Sequence, residues 1–113
     1  MNTRRFSGAV MMAAWLALPG AALAGAIHEV HMYKYRFEPA EITIKAGDTV
    51  RWVNKERRAY HNVWFRELGE AAISELFPEE TYEKTFEVPG DYPYVCEPHE
   101  KRHSMTGVIH VVE

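Results

Sequence analysis

One short stretch limits the folds open to this chain. Tyr94-Val-Cys-Glu-Pro-His-Glu-Lys-Arg-His-Ser-Met-Thr-Gly107 holds the only cysteine, Cys96, with His99 at Cys-x-x-His spacing, His103 four residues on and Met105 in Met-x-Gly. A thiolate, imidazoles and a thioether within ten residues suit a soft or borderline metal. Residues 92–96 and 106–112 read as strands, so the loop between them becomes the tip of a hairpin. The fold must bring another donor to that tip from elsewhere. The best candidate is His61, in Tyr60-His-Asn-Val-Trp-Phe65.

The single cysteine also bears on the compartment. Arg4 and Arg5 precede an apolar run over residues 8–18, and Ala22-Leu-Ala24 has the small-x-small pattern of a cleavage site. This predicts a signal peptide over residues 1–24, a mature domain over residues 25–113 and export to the periplasm. The apolar run falls short of the about 20 residues of a membrane span. The arginine pair raises the twin-arginine route, but Phe6-Ser-Gly8 departs from that motif and favours the general secretory route. Without Arg4 and Arg5, the 13 Lys+Arg become 11 against 16 Asp+Glu, a balance of −5 that argues against nucleic acid or an anionic membrane as partner. The 89 residues from Gly25 onward make one domain, expected to be a monomer, with a small core. Secreted domains of this size often rely on disulfides, which a lone cysteine cannot form internally. Histidines beside it point to a metal ligand, and a bound metal adds stability.

Residues 27–37 read as a strand with Tyr33, Tyr35 and Phe37 on one face and Lys34 and Arg36 opposite. Residues 41–45 turn Ile42 and Ile44 inward, Ala46-Gly-Asp48 is a turn, and residues 49–54 put Val50 and Trp52 on one face. A charged loop at residues 55–58 leads to a fourth short strand at 61–65. Helix formers at residues 69–76 predict one short helix that Pro78 closes. Residues 81–88 alternate, and Pro89-Gly-Asp91 is the clearest turn. About seven short strands at this spacing predict an all-β Greek-key sandwich or flattened barrel.

One cysteine and two histidines in a plane, with a long axial methionine, form the donor set of a blue-copper electron-transfer site. Three segments in register resemble the small cupredoxins: residues 37–54, His61-Asn-Val63, and Cys96-Glu-Pro-His99 with Met105-Thr-Gly107. Within that family, Leu68-Gly-Glu-Ala-Ala72 is most similar to the amicyanin branch, with pseudoazurin and plastocyanin as near alternatives. The resemblance implies one type 1 copper per chain, with His61, Cys96 and His99 as equatorial ligands and Met105 as axial ligand. Asn62 would tie the two ligand-bearing segments together. The resemblance further implies a carrier, not an enzyme. It would shuttle one electron between transient redox partners, a periplasmic dehydrogenase such as methylamine dehydrogenase, a c-type cytochrome, or both, with the His99 edge as port.

The chain departs from the family in two ways. Five residues separate His99 from Met105, where amicyanin has two and plastocyanin one fewer than here, and Glu97 stands where Thr or Ser is usual. The longer loop leaves His103 open as an alternative axial ligand. A Cys plus three His site would be nitrosocyanin-like and would serve copper handling or catalysis. A structural zinc site, a copper chaperone and an enzyme with an open copper position are the other readings. Lys55, Arg57, Arg58, Lys101 and Arg102 are candidates to set the docking charge.

Overall fold

The computed structural model describes residues 25–113, and the expected signal peptide lies outside the described residues. Two sheets pack face to face. The first orders strands β1 (Ile27–Tyr33), β2 (Arg36–Glu38), β4 (Thr49–Asn54) and β5 (Thr81–Thr85) as β2-β1-β4-β5. The second orders β3 (Glu41–Lys45), β6 (Gly90–Val95) and β7 (Thr106–Val112) as β3-β7-β6. β1 runs parallel to β4 and β3 parallel to β7, while the other pairs are antiparallel. This is the expected all-β sandwich of seven strands with one short helix, α1 (Glu100–His103).

Period-two patterning explains the core. Val30 and Met32 of β1, Ile44 of β3, Val50 and Trp52 of β4, and Ile109 and Val111 of β7 alternate into the interface and are buried. Trp52 is fully buried, its ring against Phe65, Tyr82 and Tyr94. Aromatic pairs of this kind add about 0.5–1.5 kcal/mol each beyond area burial. Ile42 is only partly buried, packed at the margin of this core.

Three expectations of local structure need correction. The strand expected over residues 27–37 is a hairpin. Lys34 and Tyr35 form a two-residue turn at φ 55° and 59°, and Tyr33 pairs with Arg36 across it. Such turns require positive φ at both central residues, which Asn-Gly would have signalled and Lys-Tyr does not. Tyr33 and Tyr35 are therefore exposed, while Phe37 is buried. Residues 61–65 form no named strand but make two isolated bridges, His61 with Leu76 and Trp64 with Val95.

The helix expected over residues 69–76 is absent. A single 3-10 turn, Arg66–Leu68, precedes it and ends at Gly69 with φ 75°. Beyond it, Leu76 N–H donates to the His61 carbonyl at 2.7 Å and Ile73 N–H to the Val63 carbonyl at 3.4 Å. An eight-residue helix is marginal alone, so pairing with the His61 segment outcompetes helix propensity. The short helix lies instead inside the Cys96–Met105 loop.

Candidate metal centre

The site is built where β4 ends. Asn54 is fully buried, and its side-chain amide donates to the carbonyls of Ala59 (3.0 Å) and Leu76 (2.7 Å). Its Oδ1 accepts from Glu56 N–H at 2.9 Å. All these groups are satisfied, so Asn54 folds the charged loop back and delivers His61 to the interior. Glu56 Oε2 then meets His61 Nε2 at 3.0 Å and accepts from Lys34 N–H at 2.8 Å. A carboxylate only accepts, so the His61 ring proton sits on Nε2 and Nδ1 presents a bare lone pair.

That lone pair faces the other donors. Nδ1 of His61 lies 3.2 Å from Nδ1 of His99 and 3.8 Å from Cys96 Sγ, and His99 Nδ1 lies 3.4 Å from the same sulfur. Among the described residues these three are the one group of His, Cys, Asp or Glu side chains placed to hold a metal. Bonds of about 2.0–2.3 Å to a central ion give a trigonal plane with edges of about 3.5–4 Å, close to this triangle. The donors fit a borderline metal that accepts nitrogen and sulfur.

Local structure fixes the second half of the site. β6 ends at Val95. Cys96 N–H donates to the Met105 carbonyl at 3.0 Å and closes the base of the loop. His99 N–H donates to the Cys96 carbonyl at 3.1 Å, so the Cys-x-x-His spacing becomes one 3-10 turn with both donors on the same side. Asn62 joins the halves. Its backbone N–H points at Cys96 Sγ (3.4 Å), and its Oδ1 accepts from Glu97 N–H at 2.8 Å. The latter bond uses backbone, so the unusual side chain of Glu97 does not disturb it. The Arg66 guanidinium grips both oxygens of Glu100 at 2.8 and 2.6 Å, pinning α1 to the 3-10 turn. Gly107 is required because a Cβ there would lie 2.5 Å from the Tyr94 ring.

Burial sets the electrostatics. Cys96, His61 and Met105 are fully buried, and His99 is half-buried. Burial pushes the Cys96 thiol up, with the N–H groups of Asn62 and His99 opposing it. A cation placed among the donors would ionise such a thiol. Burial chiefly, then the neighbouring His61 and His103, holds His99 below the ordinary imidazole value. His103 lies outside the donor group. It is exposed and stacks on Tyr35 with centroids 3.7 Å apart and planes 12° apart. Tyr35 also meets the His99 ring edge-on at 4.9 Å. Sequence patterning singled out neither Glu56 nor Tyr35. Glu56 read as one charge among four in a loop, and Tyr35 as a strand residue.

A model of the plastocyanin/azurin family of copper-binding proteins matches residues 25–112. The chain belongs to that family, and copper is its metal. Amicyanin of Paracoccus denitrificans is 42% identical in a 74-residue alignment that covers 62% of this chain and 56% of that protein. The chain thus spans little more than half the length of that relative. Plastocyanin of Scenedesmus fuscus is 41% identical in an 85-residue alignment that covers 66% of this chain and 85% of that protein. Among solved structures, an oxidised mutant of amicyanin superposes with TM-score 0.66 at 38% identity, covering 74% of this chain and 80% of that one. A copper-containing nitrite reductase from Thermus scotoductus has TM-score 0.67 at 28% identity, but the match covers only 22% of that chain.

Proposed function

We propose that this protein is a type 1 copper electron carrier of the periplasm, a monomer holding one copper on His61, Cys96 and His99 with Met105 as axial ligand. The observation that carries the reading is the convergence of Cys96 Sγ and two Nδ1 atoms within 3.2–3.8 Å of one another. Copper supplies the one-electron Cu(I)/Cu(II) couple when bound. The chain supplies rigidity and dryness. Glu56 and Asn62 hold ligand orientation from outside, so little moves when the charge changes. Burial of Cys96 and His61 excludes water, and the half-buried His99 leaves one ring as the port. Likeness to amicyanin and plastocyanin supports a carrier over an enzyme, with a dehydrogenase and a c-type cytochrome as partner classes. The stacking of His103 on Tyr35 favours Met105 over His103 as axial ligand.

The test is the visible and EPR spectrum of the Cu(II) protein beside Met105→Leu and His103→Ala. An intense blue band with small copper hyperfine splitting, altered by Met105→Leu and not by His103→Ala, is expected. A red or green site responding to His103→Ala, or a colourless zinc-preferring one, overturns the reading. Export is checked by the mass of protein recovered from periplasm, which should begin at Gly25.

A further inference from the structure

The charge around the port is opposite to that of the molecule. Residues 25–113 carry a balance of −5. Among them, Arg36, Arg51, Lys55, Arg66 and Lys84 have carboxylate partners. Of the six remaining cations, Lys45 lies at the far end of the sandwich, beyond the six-residue β4, about 20 Å away. The other five, Lys34, Arg57, Arg58, Lys101 and Arg102, are all exposed and all belong to segments that touch the site. Lys34 precedes Tyr35, whose ring meets His99, and Lys101 and Arg102 lie in α1 directly after it.

The nearby carboxylates are mostly engaged. Glu56 is held by His61 and Lys34 N–H, Glu79 by Lys55 and Glu100 by Arg66. Glu80 accepts from Phe77 N–H; a bond to a backbone N–H or an imidazole leaves a carboxylate charged, so Glu56, Glu80 and exposed Glu97 stand as three opposing charges against the five cations. A shallow cavity of about 510 Å³ opens between the β1–β2 turn and the loop after β4, lined by Lys34, Arg57 and Arg58 beside Tyr33, Ala59 and Glu56, whose carboxylate is turned to His61 Nε2 and the Lys34 N–H. It is large enough for a carboxylate side chain and presents cations on two walls. The aromatic rim beside it, Tyr60 against Phe77 at 5.9 Å, offers apolar contact close to His99.

We infer that this end of the molecule docks an acidic protein surface, seating an Asp or Glu of the partner among Lys34, Arg57 and Arg58 while Lys101 and Arg102 steer from the other side. The inference rests on the carrier reading for its purpose but not for its geometry. Charge within about one Debye length, about 10 Å at 0.1 M salt, governs encounter, so the local collar outweighs a net charge spread over the rest of the surface.

Two probes test it. The first is oxidation of the Cu(I) protein by hexacyanoferrate(III), in which one electron leaves the copper and reduces the iron complex to hexacyanoferrate(II). A basic collar makes this rate fall with rising ionic strength, by roughly tenfold from low to high salt. Net charge alone would make it rise, and a rise overturns the inference. Lys101→Glu/Arg102→Glu and, separately, Arg57→Glu/Arg58→Glu should each flatten the salt dependence, and Lys45→Glu should not. The second probe is the redox-inert hexacyanocobaltate(III), titrated into 15N-labelled protein. Amide shifts confined to residues 34, 57–59 and 101–103 support the docking face, and scattered shifts or shifts at Lys45 refute it. Localised shifts in a protein with no blue band would keep the basic face and overturn the carrier reading instead.

Discussion

Replacing Asn62 with Ala removes a bond that crosses between the two ligand-bearing segments. Asn62 is buried, and its Oδ1 takes the Glu97 N–H at 2.8 Å, while its Nδ2 reaches the Ile73 carbonyl at a weaker 3.4 Å. Truncation leaves the Glu97 N–H without its partner, which costs about 1–3 kcal/mol. Taking about 2 kcal/mol, a domain of this size should lose roughly 8–16 °C in melting temperature. Calorimetry of the metal-free protein reads this directly, because no metal then compensates. The blue band should move little in the copper-loaded variant, since the contact to Cys96 Sγ comes from the Asn62 backbone N–H at 3.4 Å and survives the substitution. A metal-free melting temperature within about 2 °C of wild type would refute the reasoning. The Cys96–Met105 loop would then be held by the Arg66–Glu100 pair and the base bond of Cys96 to Met105 alone.

Gly107→Ala forces a Cβ against the Tyr94 ring and should destabilise by about 1–3 kcal/mol, read by urea unfolding of the metal-free protein; an unchanged midpoint would mean Tyr94 can move aside. Glu56→Gln removes the negative charge beside His61 Nε2 and should raise the copper reduction potential, because less charge then favours Cu(II). Voltammetry checks this, and an unshifted potential would show that the carboxylate only orients the ring. Stability should also change with pH in two windows, one acidic and one from neutral pH upward. The His28 contact first, then N–H donors from Ala26 and Lys45, lowers Asp48 to about 2, so its contribution is present above its ordinary value and drains away as pH falls toward 2. His110, bonded to Asp91 and Glu41, is raised, so its contribution is full below the ordinary imidazole value and is lost as pH rises through the higher folded one. Asp48→Asn should flatten the acid limb and His110→Gln the neutral one in metal-free denaturation. Wild-type pH curves from both variants would rule these groups out.

Much of the site was legible because metal chemistry restricts residue type. Cys96 and His99 are close in the chain, so their spacing alone brings their donors together, through one 3-10 turn. Strand patterning foretold Val50, Trp52 and Ile44 in the core for the same local reason, that side chains alternate across a strand. His61 could be nominated by its neighbours, but its distance from the loop in sequence left its arrival to the fold.

What only the tertiary structure decided are the partners of groups that sequence cannot pair. Residues 69–76 have helix-forming side chains, yet their backbone bonds go to the His61 segment, a competition settled by what lies alongside. Lys34 and Tyr35 carry no turn signature, but the two strands they join force a tight reversal, and that reversal places Tyr35 over His99 and against His103. Glu56 was one carboxylate in a charged run until Asn54 folded that run back and set it on His61. Local periodicity and donor chemistry are properties of the chain itself. Which imidazole nitrogen faces Glu56, and which cations remain unpaired around His99, depend on contacts made after folding.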